Sequence, residues 1–298
     1  LFLCACVALA ASCIAPQAIE RNGFTTDPAW YTVDKIRDNV WMINETGHFT
    51  TYLIEGNDSA MLVDAGIGVG SLARLVGSLT DKPVIAVATH GHYDHIGADY
   101  QFAKVYLPED DKFLYDQIFP NTYISLKNKI AKNPELQAIV DKDSNADSIL
   151  RAIANYPETE VCLYKEGKSF DLGGVMFETV RLAGHTPGST MFVNRSEGYA
   201  LGGDACVNWL LLFFDYSCSP QQYMDNILCA KGMLSGVKSI YSGHQYSLDP
   251  YDISYLDTMY NCIGKAVRGE HLPQRVKHEI IADSVNCYIF DNFRFFAR

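Results

Sequence analysis

The sequence predicts an α+β fold, on three observations. Short apolar, β-branched runs divided by turn residues open the chain, segments of helical spacing follow, and polar turns recur where apolar runs end. Residues 31–36, 40–44, 50–54 and 60–63 read as an antiparallel meander, punctuated by Asp38-Asn39, Glu45-Thr46-Gly47 and Gly56-Asn57-Asp58. Residues 68–79 have helical spacing, and 83–88 form a further strand. The stretch 109–156 is charged, helix-prone and poor in β-branched runs, which predicts a helical insertion beside the rest. Strand character returns at 161–164, 175–182, 190–194 and 199–201. Residues 207–214 are almost wholly apolar; core packing is the default reading, a pocket wall the sharper one. Helices at 221–234 and 253–267 flank a short strand at 239–241, and the tail 284–296 is aromatic-rich and strand-like.

The chain has 298 residues, of which 48% are hydrophobic, enough for a sizeable core. No low-complexity stretch or Pro/Gly/Ser linker interrupts it, so residues 20–298 read as a single domain. Twenty-four basic against 35 acidic residues give a net charge of −11, which argues against a broad nucleic-acid or anionic-membrane surface. Residues 1–15 are uncharged and apolar, shorter than the roughly 20 residues a membrane span needs. With Ala10, Ala11 and Ser12 ahead of a cleavage position, they fit a signal-peptide core. Residues 1–19 are therefore expected to be a leader, 16–29 an exposed approach to the domain, and the mature chain to lack a membrane span. The expected destination is periplasmic, extracellular or, through Cys13, lipid-anchored. Beyond the leader stand Cys162, Cys206, Cys218, Cys229, Cys262 and Cys287, without a CxxC pair; disulfides and buried thiols both remain open.

The chemistry concentrates between Thr89 and Ala98, which read T-H-G-H-Y-D-H-I-G-A. His90, His92 and His95 are three of only eight histidines, and Asp94 adds a carboxylate. In an extended loop His90 and His92 point to one side, and neutral imidazole is a preferred zinc ligand. Asp94 and His95 break that alternation and face another way. The cluster thus offers two ligands to one metal and two to a second, and completes neither. His185 lies on a Gly/Pro turn after a strand, in A-G-H-T-P-G-S. Asp204 ends an apolar run in Gly202-Gly203-Asp204, where a partly buried carboxylate needs a counter-charge. His244 follows the short strand in Ser242-Gly243-His244. Asp64, at a strand end, either buttresses a neighbouring loop or caps the next helix. His48 reads as a solvated loop histidine, and His271 and His278 as surface groups.

With His90, His92, Asp94, His95, His185, Asp204 and His244 in this order, each at a strand end, the chain resembles the metallo-β-lactamase-fold hydrolases over residues 30–250. The resemblance implies an αββα sandwich with metals along one edge. It implies two Zn²⁺, although Fe or Mn also suits the nitrogen and oxygen donors. His90, His92 and His185 would hold the first metal, Asp94, His95 and His244 the second, and Asp204 both. A water between metals about 3.5–4 Å apart, its pKa lowered to around 7, would supply a bridging hydroxide. Its expected target is a small carboxylic ester, thioester, lactone or lactam, with Asp94 as the candidate for moving the proton. A small molecule is the only partner implied.

Rival readings share the scaffold. The β-lactamases of this fold usually carry Cys or Ser where Asp204 stands, although A-G-H-T-P-G-S-T is similar to one of their subgroups. Phosphodiesterases, lactonases and thioesterases carry the bridging Asp. The loop from Ile240 to Tyr246 is similar to that of glyoxalase II, whose basic C-terminal segment is not matched here. A mononuclear iron persulfide dioxygenase would use His90, His185 and Asp204 alone. A non-catalytic metal-binding protein would leave no open coordination position.

Overall fold

Alternation of side chains along the strands sets the layering. The structure is a computed structural model that describes residues 30–119, 128, 130–132, 134, 137, 138, 141, 159–245, 247–278, 280 and 284–298. The expected leader and most of the expected helical insertion at 109–156 lie outside the described residues.

The first sheet runs in order through β1 (Tyr31–Arg37), β2 (Val40–Glu45), β3 (Phe49–Glu55), β4 (Ala60–Val63), β5 (Val84–Val87), β6 (Lys104–Pro108) and β7 (Glu160–Tyr164). Its first four strands are the expected antiparallel meander, and β4 to β7 pair in parallel. The second sheet contains β8 (Ser169–Asp171), β9 (Met176–Arg181), β10 (Thr190–Asn194) and β11 (Tyr199–Leu201). After β11 the chain leaves through β12 (Trp209–Leu212). It then returns to the same sheet as β13 (Ser239–Tyr241) and β14 (Tyr251–Asp252).

Tyr52 and Ile54 of β3 and Met61 and Val63 of β4 face Phe192 of β10 and Tyr199 and Leu201 of β11, forming the core between the sheets. The intervening residues point the other way, as a pleat of period two requires. Leu53 and Leu62 pack under α1 (Leu72–Leu79) with Leu72 and Val76. Met191, Val193 and Ala200 pack under two later helices, with Tyr223, Ile227, Met259 and Ile263. This is the αββα layering the sequence led us to expect. Short helices α2 (Tyr93–Ile96) and α3 (Lys112–Ile118) lie on the first side, and α4 (Pro220–Met233) and α5 (Tyr255–Val267) on the second. The α4 start is fixed by its cap: Ser219 and Gln222 form a reciprocal capping box around Pro220. Among the described residues no helix is long and apolar enough to cross a membrane.

A third sheet was not anticipated. β12 pairs in parallel with β17 (Arg294–Ala297), which continues through β16 (Ser284–Ile289) to β15 (Gln274–Lys277). Leu210 and Leu212 join the core, while Trp209 is 49% exposed, so most of the apolar run 207–214 is packing. His278, expected at the surface, has its ring 4.7 Å from that of Phe213, and His271 stacks on Phe290. The six cysteines at 162–287 are all free thiols.

Helix α1 begins later than residue 68 because residues 66–70 wrap a buried carboxylate instead. Glu45, 2% exposed at the end of β2, accepts the Ile67 amide at 2.7 Å. A Cβ on Gly66, whose φ is +57°, would lie 2.0 Å from Glu45 Oε2, so only glycine fits. Burial lifts the Glu45 pKa from 4.5 to about 7, against the downward pull of the amides of residues 67–70. A raised folded-state pKa contributes stability that is complete below the unfolded value and lost as pH rises through 7. Glu45→Gln removes that dependence. Its stability relative to the parent should rise between pH 5 and pH 8 by up to about 3 kcal/mol. Urea denaturation of both proteins at the two pH values measures this, and an equal difference at both would contradict it.

Candidate metal centre

Each of the seven ligand candidates sits beyond the C-terminal end of a strand. His90 and His92 follow β5, with Asp94 and His95 on α2; His185 follows β9, Asp204 follows β11 and His244 follows β13. Strands of both sheets end on the same edge of the sandwich, and the structure brings all seven together. One nitrogen each of His90, His92 and His185 lie within 4.8 Å of one another. The same holds for single ligand atoms of Asp94, His95 and His244, and of His90, His95 and Asp204. Asp204 lies between the groups: its Oδ2 is 3.5 Å from His185 Nε2 and 3.3 Å from His244 Nε2, and its Oδ1 is 3.3 Å from His95 Nε2.

The ring nitrogens turned away from this cluster are held. His185 Nδ1 donates to the Leu211 carbonyl at 2.8 Å, and His244 Nδ1 to the His48 carbonyl at 2.8 Å. His95 Nδ1 meets Asp64 Oδ2 at 2.8 Å, and His90 Nδ1 lies 3.1 Å from Thr89 Oγ1. These four leave Nε2 for the centre. His92 is reversed, because its Nε2 is taken by the Tyr216 hydroxyl at 2.7 Å. Fixing the outward nitrogen fixes tautomer and ring orientation, which is how ligating histidines are prepared. At Asp64 the buttressing reading is the one the structure supports. Its Oδ1 accepts the Thr89 amide at 2.7 Å and its Oδ2 the Thr89 hydroxyl at 2.9 Å. Asp64 holds this position with φ +64°, an uncommon conformation for a non-glycine residue. His48 contributes its backbone oxygen to the site.

Two glycines are dictated by close approach. A Cβ on Gly243 would lie 2.7 Å from both Asp204 Oδ1 and His95 Cε1, and one on Gly203 (φ +50°) would lie 2.3 Å from Thr89 Oγ1. Hydrogen bonds lace the loops together: Gly243 N donates to Gly203 O, and Thr190 N to Thr89 O.

The donor set fits a cation. Nε2 of His90, His95 and His185 and Oδ1 of Asp204 are buried with no hydrogen-bond partner, an arrangement that is costly unless something binds there. Burial holds His90, His92 and His185 below the usual imidazole range, in the neutral state that ligates. Burial acts the same way on His95 and His244, but Asp204 and other nearby carboxylates outweigh it. His95 is carried well up and His244 to about 9. Asp204 is itself held well below the carboxylate range by those imidazoles against the effect of burial. The second group therefore carries protons where a metal ion would replace them.

Two residues of the site, Tyr216 and Asp111, had no signature in the sequence. Asp111, completely buried just ahead of α3, accepts from Gly91 N at 2.8 Å and the Thr186 hydroxyl at 2.7 Å through Oδ2. Its Oδ1 accepts from Gly188 N at 2.7 Å. It ties the His90–His92 loop to the His185 loop. Twenty residues separate it from Gly91, in a stretch that reads as charged helix, so only the fold reveals it.

The profile of the metallo-beta-lactamase superfamily matches residues 48–109. Acyl-coenzyme A thioesterase MBLAC2 of Bos taurus is 24% identical over 207 residues, 61% of this chain and 70% of that protein. Hydroxyacylglutathione hydrolase GloC of Haemophilus influenzae is 28% identical over 152 residues, 49% of this chain and 60% of that one. Among solved structures, a metallo-beta-lactamase from Pontibacter korlensis superposes with a TM-score of 0.53 at 17% identity, covering 78% of this chain and 99% of its own. The mono-zinc form of FIM-1 from Pseudomonas aeruginosa gives 0.54 at 16% identity, covering 79% and 96%.

Asp111→Ala strands three buried donors, each costing about 1–3 kcal/mol when left unsatisfied. The expected loss is about 3 kcal/mol of stability and a roughly 10- to 100-fold weaker metal affinity. Urea denaturation and competitive chelator titration measure the two, and parental values in both would remove Asp111 from this role.

Proposed function

We propose that this member of the metallo-beta-lactamase superfamily, a metal-dependent hydrolase, cleaves small acyl substrates at a dinuclear zinc centre. The substrate class is a carboxylic ester, thioester, lactone or lactam. The observation that carries the reading is Asp204, whose two carboxylate oxygens reach His95 on one side and His185 and His244 on the other. A mononuclear iron site would need only His90, His185 and Asp204. The separate grouping of Asp94, His95 and His244 supports a second ion. The Asp at 204, rather than Cys or Ser, weighs against β-lactam as the preferred substrate. The thioesterase and hydroxyacylglutathione hydrolase among the relatives support a thioester within the class.

In this reading His90, His92 and His185 hold one ion, Asp94, His95 and His244 the other, and Asp204 both. When bound, such a pair lowers the pKa of water to about 7 and polarises the acyl oxygen. The protein's part is positional. Asp64, Tyr216 and the Leu211 and His48 carbonyls hold five histidine orientations in concert with Thr89, so that little reorganisation accompanies reaction. Asp94 is the site carboxylate most open to solvent, with its side chain 23% exposed against 10% for Asp204. Its carboxylate would take up the proton that the attacking water loses and deliver it to the leaving group as the bond from that group to the acyl carbon breaks.

Metal analysis of the purified protein is expected to give close to two zinc ions per chain; fewer than one bound transition ion would overturn the reading. In a panel of thioesters, lactones, phosphodiesters and a chromogenic cephalosporin, the acyl substrates should turn over fastest. His92→Ala and Asp204→Ala should each lower kcat/KM at least about 100-fold. Near-parental turnover in either variant, or preference for the phosphodiester, would contradict the assignment.

A further inference from the structure

Three aromatic rings border the first histidine group in a way that ligation does not require. The Phe214 ring lies 4.9 Å from His92 and 5.8 Å from His185, centroid to centroid. Tyr216 stacks on Phe214 at 5.2 Å with the planes 6° apart, and Phe113 of α3 meets Tyr216 edge-on at 5.5 Å. Rings from two separate elements thus form one wall that starts at the metal-facing histidines and runs outward. Phe113 is 38% exposed and the other two are half-buried, whereas Phe213 next door is completely buried. A contiguous part-open apolar surface beside a reactive centre forgoes burial free energy that a ligand can recover.

The wall's polar features are already committed. The Tyr216 hydroxyl is engaged with His92, leaving its ring as the surface offered. Lys112 beside Phe113 pairs with Asp116, and Asp215 beside Tyr216 pairs with Arg298. Rings flanked by self-paired charges suit an uncharged hydrocarbon chain better than a polyanionic tail. We propose that Phe113, Tyr216 and Phe214 seat the hydrocarbon chain of the acyl group, so that the enzyme favours longer over shorter acyl chains from four to ten carbons. This rests on the acyl-hydrolase reading above for the ligand's identity.

The test uses binding, so that it stands apart from turnover. The zinc-loaded full chain is titrated calorimetrically with butanoate, hexanoate, octanoate and decanoate, the acids that acyl hydrolysis would release. All share one carboxylate, so differences among them report the chain alone. Affinity should rise about threefold per added methylene, and the series should flatten in Phe113→Ala and Phe214→Ala. Phe113 is the primary variant because its ring is already part-open to water, and Phe214→Leu, which keeps bulk, should retain part of the slope. Equal affinity for butanoate and decanoate in the parent, or an undiminished slope in Phe113→Ala, would overturn the proposal. A chain-length series in a protein that hydrolyses no ester or thioester would sustain the wall and refute the hydrolase reading. Turnover with a flat series would do the reverse.

Discussion

A buried carboxylate ringed by imidazoles is the constraint on which the rest of the molecule depends. Asp204 sits among His95, His185 and His244 in a site mostly shielded from water. Neither the negative charge nor the nitrogen lone pairs are tolerable there alone. Protons partly meet the need, as the raised affinity of His244 and His95 for them records, and a divalent cation meets it more fully. The positions of the surrounding loops follow from holding these groups at bonding distance against their tendency to hydrate.

Two carboxylates do that holding without facing the centre. Asp64 binds Thr89 and His95, fastening the start of the histidine loop to its end. Asp111 binds Gly91, Thr186 and Gly188, fastening one sheet's loop to the other's. Strand ends supply rigid origins for these loops, and the carboxylates remove what freedom is left. Site geometry is thus set at three levels: sheet edge, loop cross-tie and outward ring nitrogen.

The convergence of the seven was legible because four ligand-type side chains stand at short spacing between 90 and 95, and the other three follow strands at turns of small residues. The meander β1–β4 and strands β10, β11 and β13 were legible because alternation and turn residues are local properties. Asp64 apart, whose strand-end position suggested a buttress, the residues that hold the histidines and their loops were not. Leu211 and His48 act through backbone oxygens, which every residue carries, and Tyr216 and Asp111 act across the fold from positions with unremarkable neighbours. The third sheet was hidden for the same reason. Its pairing of residues 209–212 with 294–297 is a long-range match between two apolar stretches, each of which reads equally well as core. The spacing of residues 68–71 permits a helix, while the buried demand of Glu45 sets their actual course.

That third sheet bears on the metal-facing edge. The carbonyl that steadies His185 belongs to Leu211, on β12, and the strand β12 pairs with is β17. His185 is therefore braced by a strand whose ladder partner in that sheet, β17, lies at residues 294–297. Whatever loosens β17 from β12 would also loosen the Leu211 carbonyl that orients the His185 ring, so residues 294–297 bear on the site through a backbone oxygen of another strand.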